Sequence, residues 1–423
     1  MLARNVWLRT RRADRQLERR QRSAGFTLVE LMVSMVGGIF VSMAVFAIAK
    51  HSSSFSMQQS RIADATLQNV VGFERLRADI SRAGFLSTPN MIDDPKLCRT
   101  SVYPLWLRRL ASIYIEPVPP PLSPEMTVNG LTPSRIVLGG SYASSNEFLV
   151  RRIVDAAQAQ VVLQPNSLGM VEMGFKANPT AETLERVFAT GRALRVVDRT
   201  GRTQYGQIAS ASVGTEGEPI ITLAASPALT FRSGSTKGCG FDGFGTQFTA
   251  SVVNIIRYDL RNLDTSTLPQ YAPMFVGGPS YEKNNRRELV REELDLTGTA
   301  FPDSLELVAE YAVDLGFSLF VAPTQTQALT RVLPADVSGY AGTPGPTMPT
   351  GQGPQRIRAV QVWLSTRSQE ADRTLGLDLQ PTAPGPNLLR VSLHPSDGTQ
   401  GPFARVRTVQ SMVPLNNQAM VPW

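Results

Sequence analysis

Apolar and polar residues follow one another along this chain in three regimes. From Phe26 to Ala49, 24 residues run with a single charge, Glu30. About 20 apolar residues in a helix are enough to cross a ~30 Å hydrocarbon core, so this stretch predicts a membrane-spanning helix. Beyond Lys50 the polarity rises, yet Ile62, Val70, Phe73, Leu76 and Ile80 recur at spacings of three, four or eight, the pattern of an amphipathic helix. That helix should continue to about Ala83, because Gly84 is a stop signal and Pro89 lies beyond it. Unbroken from Phe26 to Ala83 it would be ~87 Å long, its first half in lipid and its second half against a body. The third regime is built of short β-branched or alternating runs: Arg135 to Leu138, Phe148 to Val154, Gln160 to Leu163, Leu194 to Asp198, Pro219 to Leu223, Ser251 to Leu260 and Phe403 to Val413. In the last of these, Val406, Thr408 and Gln410 share one face and Arg405, Arg407 and Val409 the other. Glu116 to Pro124 holds five prolines and Gly339 to Pro354 is rich in Gly, Pro and Thr, so both should be surface loops. No repeat of 20 to 50 residues stands out. The expected class is α+β: a lollipop of one long N-terminal helix and a mainly β globular domain over residues 85–423.

Composition supports a soluble body with one apolar segment. The 423 residues are 42% hydrophobic and 18% charged, with mean hydropathy near zero. The net charge of +7 is concentrated at the start. Residues 1–25 hold eight arginines against Asp14 and Glu18, a net of +6, and leave +1 for the rest. The body therefore offers no electrostatic reason to bind nucleic acid. Arginines on the N-terminal side of the apolar run place residues 1–25 in the cytoplasm and everything after Lys50 across the membrane, which in a two-membrane cell is the periplasm. A secretory signal peptide ending at Ala47-Ile48-Ala49 is a competing reading, but signal h-regions run to only about 15 residues and rarely carry an acid. A plain signal anchor explains length and orientation and leaves Glu30 without a purpose.

An ionisable group inside a membrane helix is costly and needs a named partner. If the chain is cut between Gly25 and Phe26, a new α-amino group appears on Phe26, one helical turn before Glu30 and on the same face. The carboxylate could neutralise that amine in its own helix or in a neighbouring one, which would turn a costly charge into a register-setting contact. Gly25-Phe26-Thr27-Leu28-Val29-Glu30-Leu31, behind a basic leader and before an apolar helix, resembles the type IV prepilin signature. The resemblance implies cleavage after Gly25 by a prepilin peptidase, which also N-methylates Phe26. It further implies that Glu30 is needed for incorporation into a fibre.

Leu76-Arg77-Ala78-Asp79-Ile80-Ser81-Arg82-Ala83-Gly84-Phe85 is similar to the helix end of the PilW family of minor pilins. Val308 to Leu315 and Ile357 to Ser368 resemble later parts of the same family, whereas Pro414-Leu415-Asn416-Asn417 departs from its Leu-Arg-Asn ending. The resemblance implies a minor pilin that primes or caps a pilus. Its partners would be other minor pilins, the major pilin, an inner-membrane assembly platform and lipid. A minor pseudopilin of a type II secretion system, a pilus-tip adhesin and a membrane-tethered hydrolase with paired carboxylates are the alternatives.

Little in the body suggests chemistry. Cys98 and Cys239, 141 positions apart, show no CxxC pairing and could form a disulfide in an oxidising compartment or stay as separate buried thiols. Of the two histidines, His51 sits at the membrane boundary and His394 precedes a proline. No GxSxG, HExxH, Walker loop or helix-opening GxGxxG is present, so no catalytic residue, metal or cofactor is expected. Gly238 to Gly245 reads as turn structure around a disulfide, with a flexible binding loop as the alternative. Arg286-Arg287 with Glu288, Glu292 and Glu293 reads as a solvated face of local ion pairs.

Overall fold

The structure is a computed structural model that describes residues 26–98, 107, 110–154, 160–232, 239–263, 269–275, 285–322, 328–342, 352–369, 371, 385–393, 402–419 and 421. Two compact units divide the chain, Met1–Ala63 and Asp64–Trp423, and the long helix α1 (Leu28–Arg82) contributes to both. An apolar helix followed by a mostly β globular domain is the α+β class that the pattern predicts.

In the first unit the stretch Leu28–Ser53 is long and apolar enough to cross a membrane, and none of it is buried. Val33, Phe40, Val41 and Phe46 all stand exposed on it. Its length and composition are consistent with membrane anchoring.

In the second unit α1 buries Asn69, Gly72, Phe73, Leu76, Asp79 and Ile80, with Ala83 just beyond its end. These positions fall three or four apart on one stripe. Val70, expected on that stripe, is 40% exposed, because it lies about 100° round the helix from Asn69, which takes the buried position. The side chain of Ile62 lies outside the described residues. The helix stops at Arg82 because Gly84 turns back at φ +76° and donates its N–H to Gly139 O at 2.8 Å.

The body is antiparallel throughout its named strands. Its first strands are β1 (Ile113–Pro117), β2 (Ser134–Gly140), β3 (Phe148–Val154) and β4 (Gln160–Leu163). They are followed by β5 (Ala193–Val197), β6 (Thr203–Val213), β7 (Pro219–Leu223) and β8 (Phe248–Arg261). The remainder are β9 (Glu288–Leu294), β10 (Glu306–Ala309), β11 (Ala312–Val321), β12 (Thr330–Val332), β13 (Ile357–Arg367), β14 (Arg390–Ser392) and β15 (Phe403–Pro414).

Strand β8 joins two structures. Its first residues pair with β3 on one side and β5 on the other, so the ring β8-β3-β4-β7-β6-β5 closes into a barrel. Phe148, Phe188, Phe241 and Phe248 fill it, with Phe148 and Phe188 ring centres 4.9 Å apart. The later residues of β8 lie between β2 and β9 in an open run β1-β2-β8-β9-β10. A second sheet has the order β12-β11-β13-β15-β14. Phe73, Leu76 and Ile80 of α1 pack into one core with Ile136, Tyr258 and Leu289 of the open run and Leu315, Val360 and Val413 of the second sheet.

Both expected loops need trimming. Glu116 and Pro117 end β1, an edge strand, where a proline removes no ladder bond, and Pro124 opens a short helix, Pro124–Val128, capped by Ser123 Oγ on Met126 N–H. Gly339 to Ala341 belong to the short helix Ser338–Ala341 and Pro354 opens a helical turn, while residues 343–351 lie outside the described residues.

Candidate functional site

The helix begins at Thr27 through two of that residue's oxygens. Its carbonyl accepts Leu31 N–H at 3.1 Å, and its hydroxyl accepts Glu30 N–H at 3.2 Å. Thr27 is therefore the N-cap and Glu30 the third helical residue, so the helix starts two residues after Phe26. The Thr-x-x-Glu spacing is a capping-box signature legible in the sequence. Phe26 is 77% exposed, and Gly25 lies outside the described residues. Among the described residues no cation pairs with Glu30, whose neighbours Leu28, Val29, Leu31 and Met32 are all exposed apolar side chains.

At the other end of α1, polar groups hold it in the body. Asp79, 4% exposed, accepts Tyr258 Oη–H at 2.8 Å and Arg291 Nε–H at 2.7 Å. Burial and then the Asp79 charge push the Tyr258 hydroxyl far above its ordinary value, and burial does the same to Tyr142, whose hydroxyl donates to Asp79 O. Burial works against the Arg291 charge, but Asp79 outweighs it and holds the guanidinium above its usual range. Asn69 donates to Thr366 Oγ1 at 2.9 Å on β13. Asn417 Nδ2 donates to Ala83 O at 3.1 Å and Gln418 Nε2 to Ser112 Oγ at 2.6 Å. The segment whose sequence departs from the expected family ending thus closes the helix terminus.

The Arg286 to Glu293 stretch is not the solvated face that its charges suggest. Glu288 and Glu292 are buried, and so is Arg286. Strand β9 is interior, and Arg257 and Arg261 of β8 both reach Glu292. Arg192 grips Glu293 with Nε at 2.7 Å and Nη2 at 2.8 Å. Arg286 pairs with Glu288, whose other oxygen accepts Tyr311 N–H at 2.7 Å. Tyr311, held at φ +53°, lies with the Arg286 guanidinium 4.0 Å and the Arg367 guanidinium 5.0 Å from its ring centre. These contacts retain a backbone conformation that a tyrosine seldom adopts.

Cys98 and Cys239 are joined, with Cα atoms 5.4 Å apart. Around this link Cys98 N–H bonds Thr203 O, and Asp242 N–H bonds Asp198 Oδ2 at 3.0 Å. The following loop is fixed by Ile153 N–H on Phe244 O and by the close approach of Gly245 to the Arg152 backbone. Phe244 is 67% exposed and stacks on Phe231. Gly238 and His394 lie outside the described residues. Among the described residues no group of three or more His, Cys, Asp or Glu side chains is disposed to hold a metal.

Residues 20–36 match the family model of the prokaryotic N-terminal methylation motif. No curated protein matches the chain. Among solved structures, a type IV-like pilin from Thermus thermophilus aligns at 11% identity over 60% of this chain and 100% of that one, with a TM-score of 0.18. The chain thus carries a prokaryotic N-terminal methylation motif at the head of an apolar helix, and a mostly β domain follows in sequence.

Proposed function

We propose that this chain is a minor subunit of a type IV pilus, with a structural role and not a catalytic one, which primes or caps the fibre within a complex of minor pilins. Arg4, Arg9, Arg11, Arg12, Arg15, Arg19, Arg20 and Arg22 hold the leader in the cytoplasm, and the body lies in the periplasm. A prepilin peptidase cuts between Gly25 and Phe26 and methylates the new amine. The apolar helices of neighbouring subunits then bundle, with Glu30 meeting a terminal amine and fixing their axial offset.

The observation that supports this reading is the methylation motif over residues 20–36, which spans Glu30 and overlaps the start of the apolar, unburied stretch Leu28–Ser53. Mass analysis of the protein from its host membrane should give a mature chain that starts at N-methylated Phe26. Glu30→Val should leave that processing intact and remove the subunit from the fibre. A mature chain that starts at Lys50 would overturn the proposal, as would normal incorporation of the valine variant.

A further inference from the structure

We propose that the loop at residues 240–245 carries a carbohydrate subsite, in which the Phe244 ring receives the C–H face of a neutral pyranose. Phe244 is 67% exposed, yet its ring is backed by Phe231, with 5.2 Å between centres and 24° between planes. Phe231 meets Phe241 at 5.9 Å, and Phe241 meets Phe248 at 5.1 Å in the barrel core. A file of rings thus runs outward from the core and ends on one that stands in water. The backbone beneath it is fixed before any ligand arrives. Gly240 O accepts Arg202 Nη1–H at 3.2 Å, and Asp242 N–H bonds Asp198 Oδ2 at 3.0 Å. Phe241 donates to Thr230 O and accepts Arg232 N–H, Phe244 O accepts Ile153 N–H, and Gly245 O accepts Phe248 N–H. The loop is rigid where its glycines suggest flexibility, so a ligand settling on it loses little entropy to ordering the protein.

The charges against this loop select the ligand. Arg199 pairs with Asp242 at 2.8 Å, and Arg152, whose backbone touches Gly245, pairs with Glu218 at 3.3 Å. Arg152, Arg199 and Asp242 are half-exposed, so guanidinium donors and carboxylate acceptors both face water beside the loop. A sugar hydroxyl both donates and accepts, and it needs that mixture. The pyranose ring also presents an apolar C–H face, which an aromatic ring covers. Arg152, Arg199, Arg202 and Arg232 are nearly balanced by Asp198, Glu218 and Asp242, so a phosphate backbone gains little net attraction here. A protein interface has an apolar centre depleted of charge, which this surroundings of ion pairs does not offer.

The test uses full-length protein in micelles of lauryldimethylamine oxide, a detergent that contains no sugar. It is titrated with neutral hexasaccharides of gluco, galacto and manno configuration. Saturating the aromatic protons should pass magnetisation to C–H protons of at least one of these sugars. Phe244→Ala should weaken that binding by ~ten-fold or more, as loss of an aromatic anchor does. Phe244→Tyr keeps the aromatic face and should bind as the native chain does. The inference is overturned by any of four results: no transfer to any of the sugars, an alanine variant that binds as tightly as the native chain, a tyrosine variant as weak as alanine, or a single-stranded oligonucleotide that displaces the sugar.

Discussion

Replacing Asp79 by alanine tests whether the helix is held in the body by a directed polar contact or merely by apolar burial. The carboxylate receives Tyr258 Oη–H at 2.8 Å and Arg291 Nε–H at 2.7 Å, in a site where the tyrosine is fully buried and the arginine side chain 15% exposed. Removing one partner of a buried ion pair costs about 3–5 kcal/mol, because the remaining charge has lost its compensation. Arg291 keeps a second carboxylate, Glu306 at 3.4 Å, but that one is half-exposed and helps little, so the lower end, ~3 kcal/mol, is expected. At ~2 °C per kcal/mol for a large domain, the unfolding midpoint of the micelle-bound protein should fall by about 6 °C. Adding Arg291→Met removes the stranded cation, and the double variant should be more stable than Asp79→Ala alone. A single variant within ~1 kcal/mol of the native chain, or a double variant no better than the single, would show that the pair does not anchor the helix.

Two further expectations concern the body. Burial pushes the Glu288 carboxyl up from an ordinary 4.5 to about 7, against the pull of Arg286 and with Glu310 adding to the rise. The folded state then binds the proton more tightly, so this group's contribution is complete below about pH 4.5 and is lost as the pH rises through about 7. At 1.36 kcal/mol per unit the loss is ~3 kcal/mol, and Glu288→Gln should flatten the stability profile across that window. Parallel profiles for the two proteins would refute the assignment. Reducing the Cys98–Cys239 link, which spans 141 residues, should lower stability by ~2–4 kcal/mol and make the loop after Cys239 exchange its amides faster, as read by calorimetry and hydrogen exchange. An unchanged transition in reductant would count against it.

Strands whose signal is local were legible. The alternation in Phe148 to Val154, Gln160 to Leu163 and Pro219 to Leu223 marks β3, β4 and β7 to the residue. Barrel closure was not, because it depends on Ala193–Val197 pairing with Thr249–Val253, and no periodicity within either strand names its partner. The helix stripe divides the same way. Phe73, Leu76 and Ile80 declare themselves by spacing, whereas Asn69, Gly72 and Asp79 are buried only because Thr366, Val308 and Arg291 come to meet them from 200 to 300 residues away. At Gly72 a Cβ would stand 2.2 Å from Val308 O, so backbone there touches backbone. Arg286 to Glu293 misleads for the same reason: a charged side chain carries no mark of whether water or an opposite charge will surround it. At the N terminus, by contrast, motif and chemistry coincide within seven residues, and Thr27 could have been read as a cap from Thr-x-x-Glu alone.

Glu30 and Asp79 put a common problem on one helix and differ in where its solution lies. Each is an acid that belongs beside a cation when it is out of water. For Asp79 the cation is Arg291, within the same folded chain. For Glu30 the described residues supply none, and under the proposed function its partner is the terminal amine of a neighbouring subunit. The two should therefore separate cleanly under mutation. Asp79→Ala should destabilise the isolated protein, whereas Glu30→Val should leave its unfolding midpoint in micelles unchanged, or raise it slightly by removing an uncompensated charge, and act only when subunits associate. If the valine substitution lowered the midpoint of the unassembled protein by several degrees, Glu30 would have a partner inside its own chain, and its assignment to contacts between subunits would be wrong.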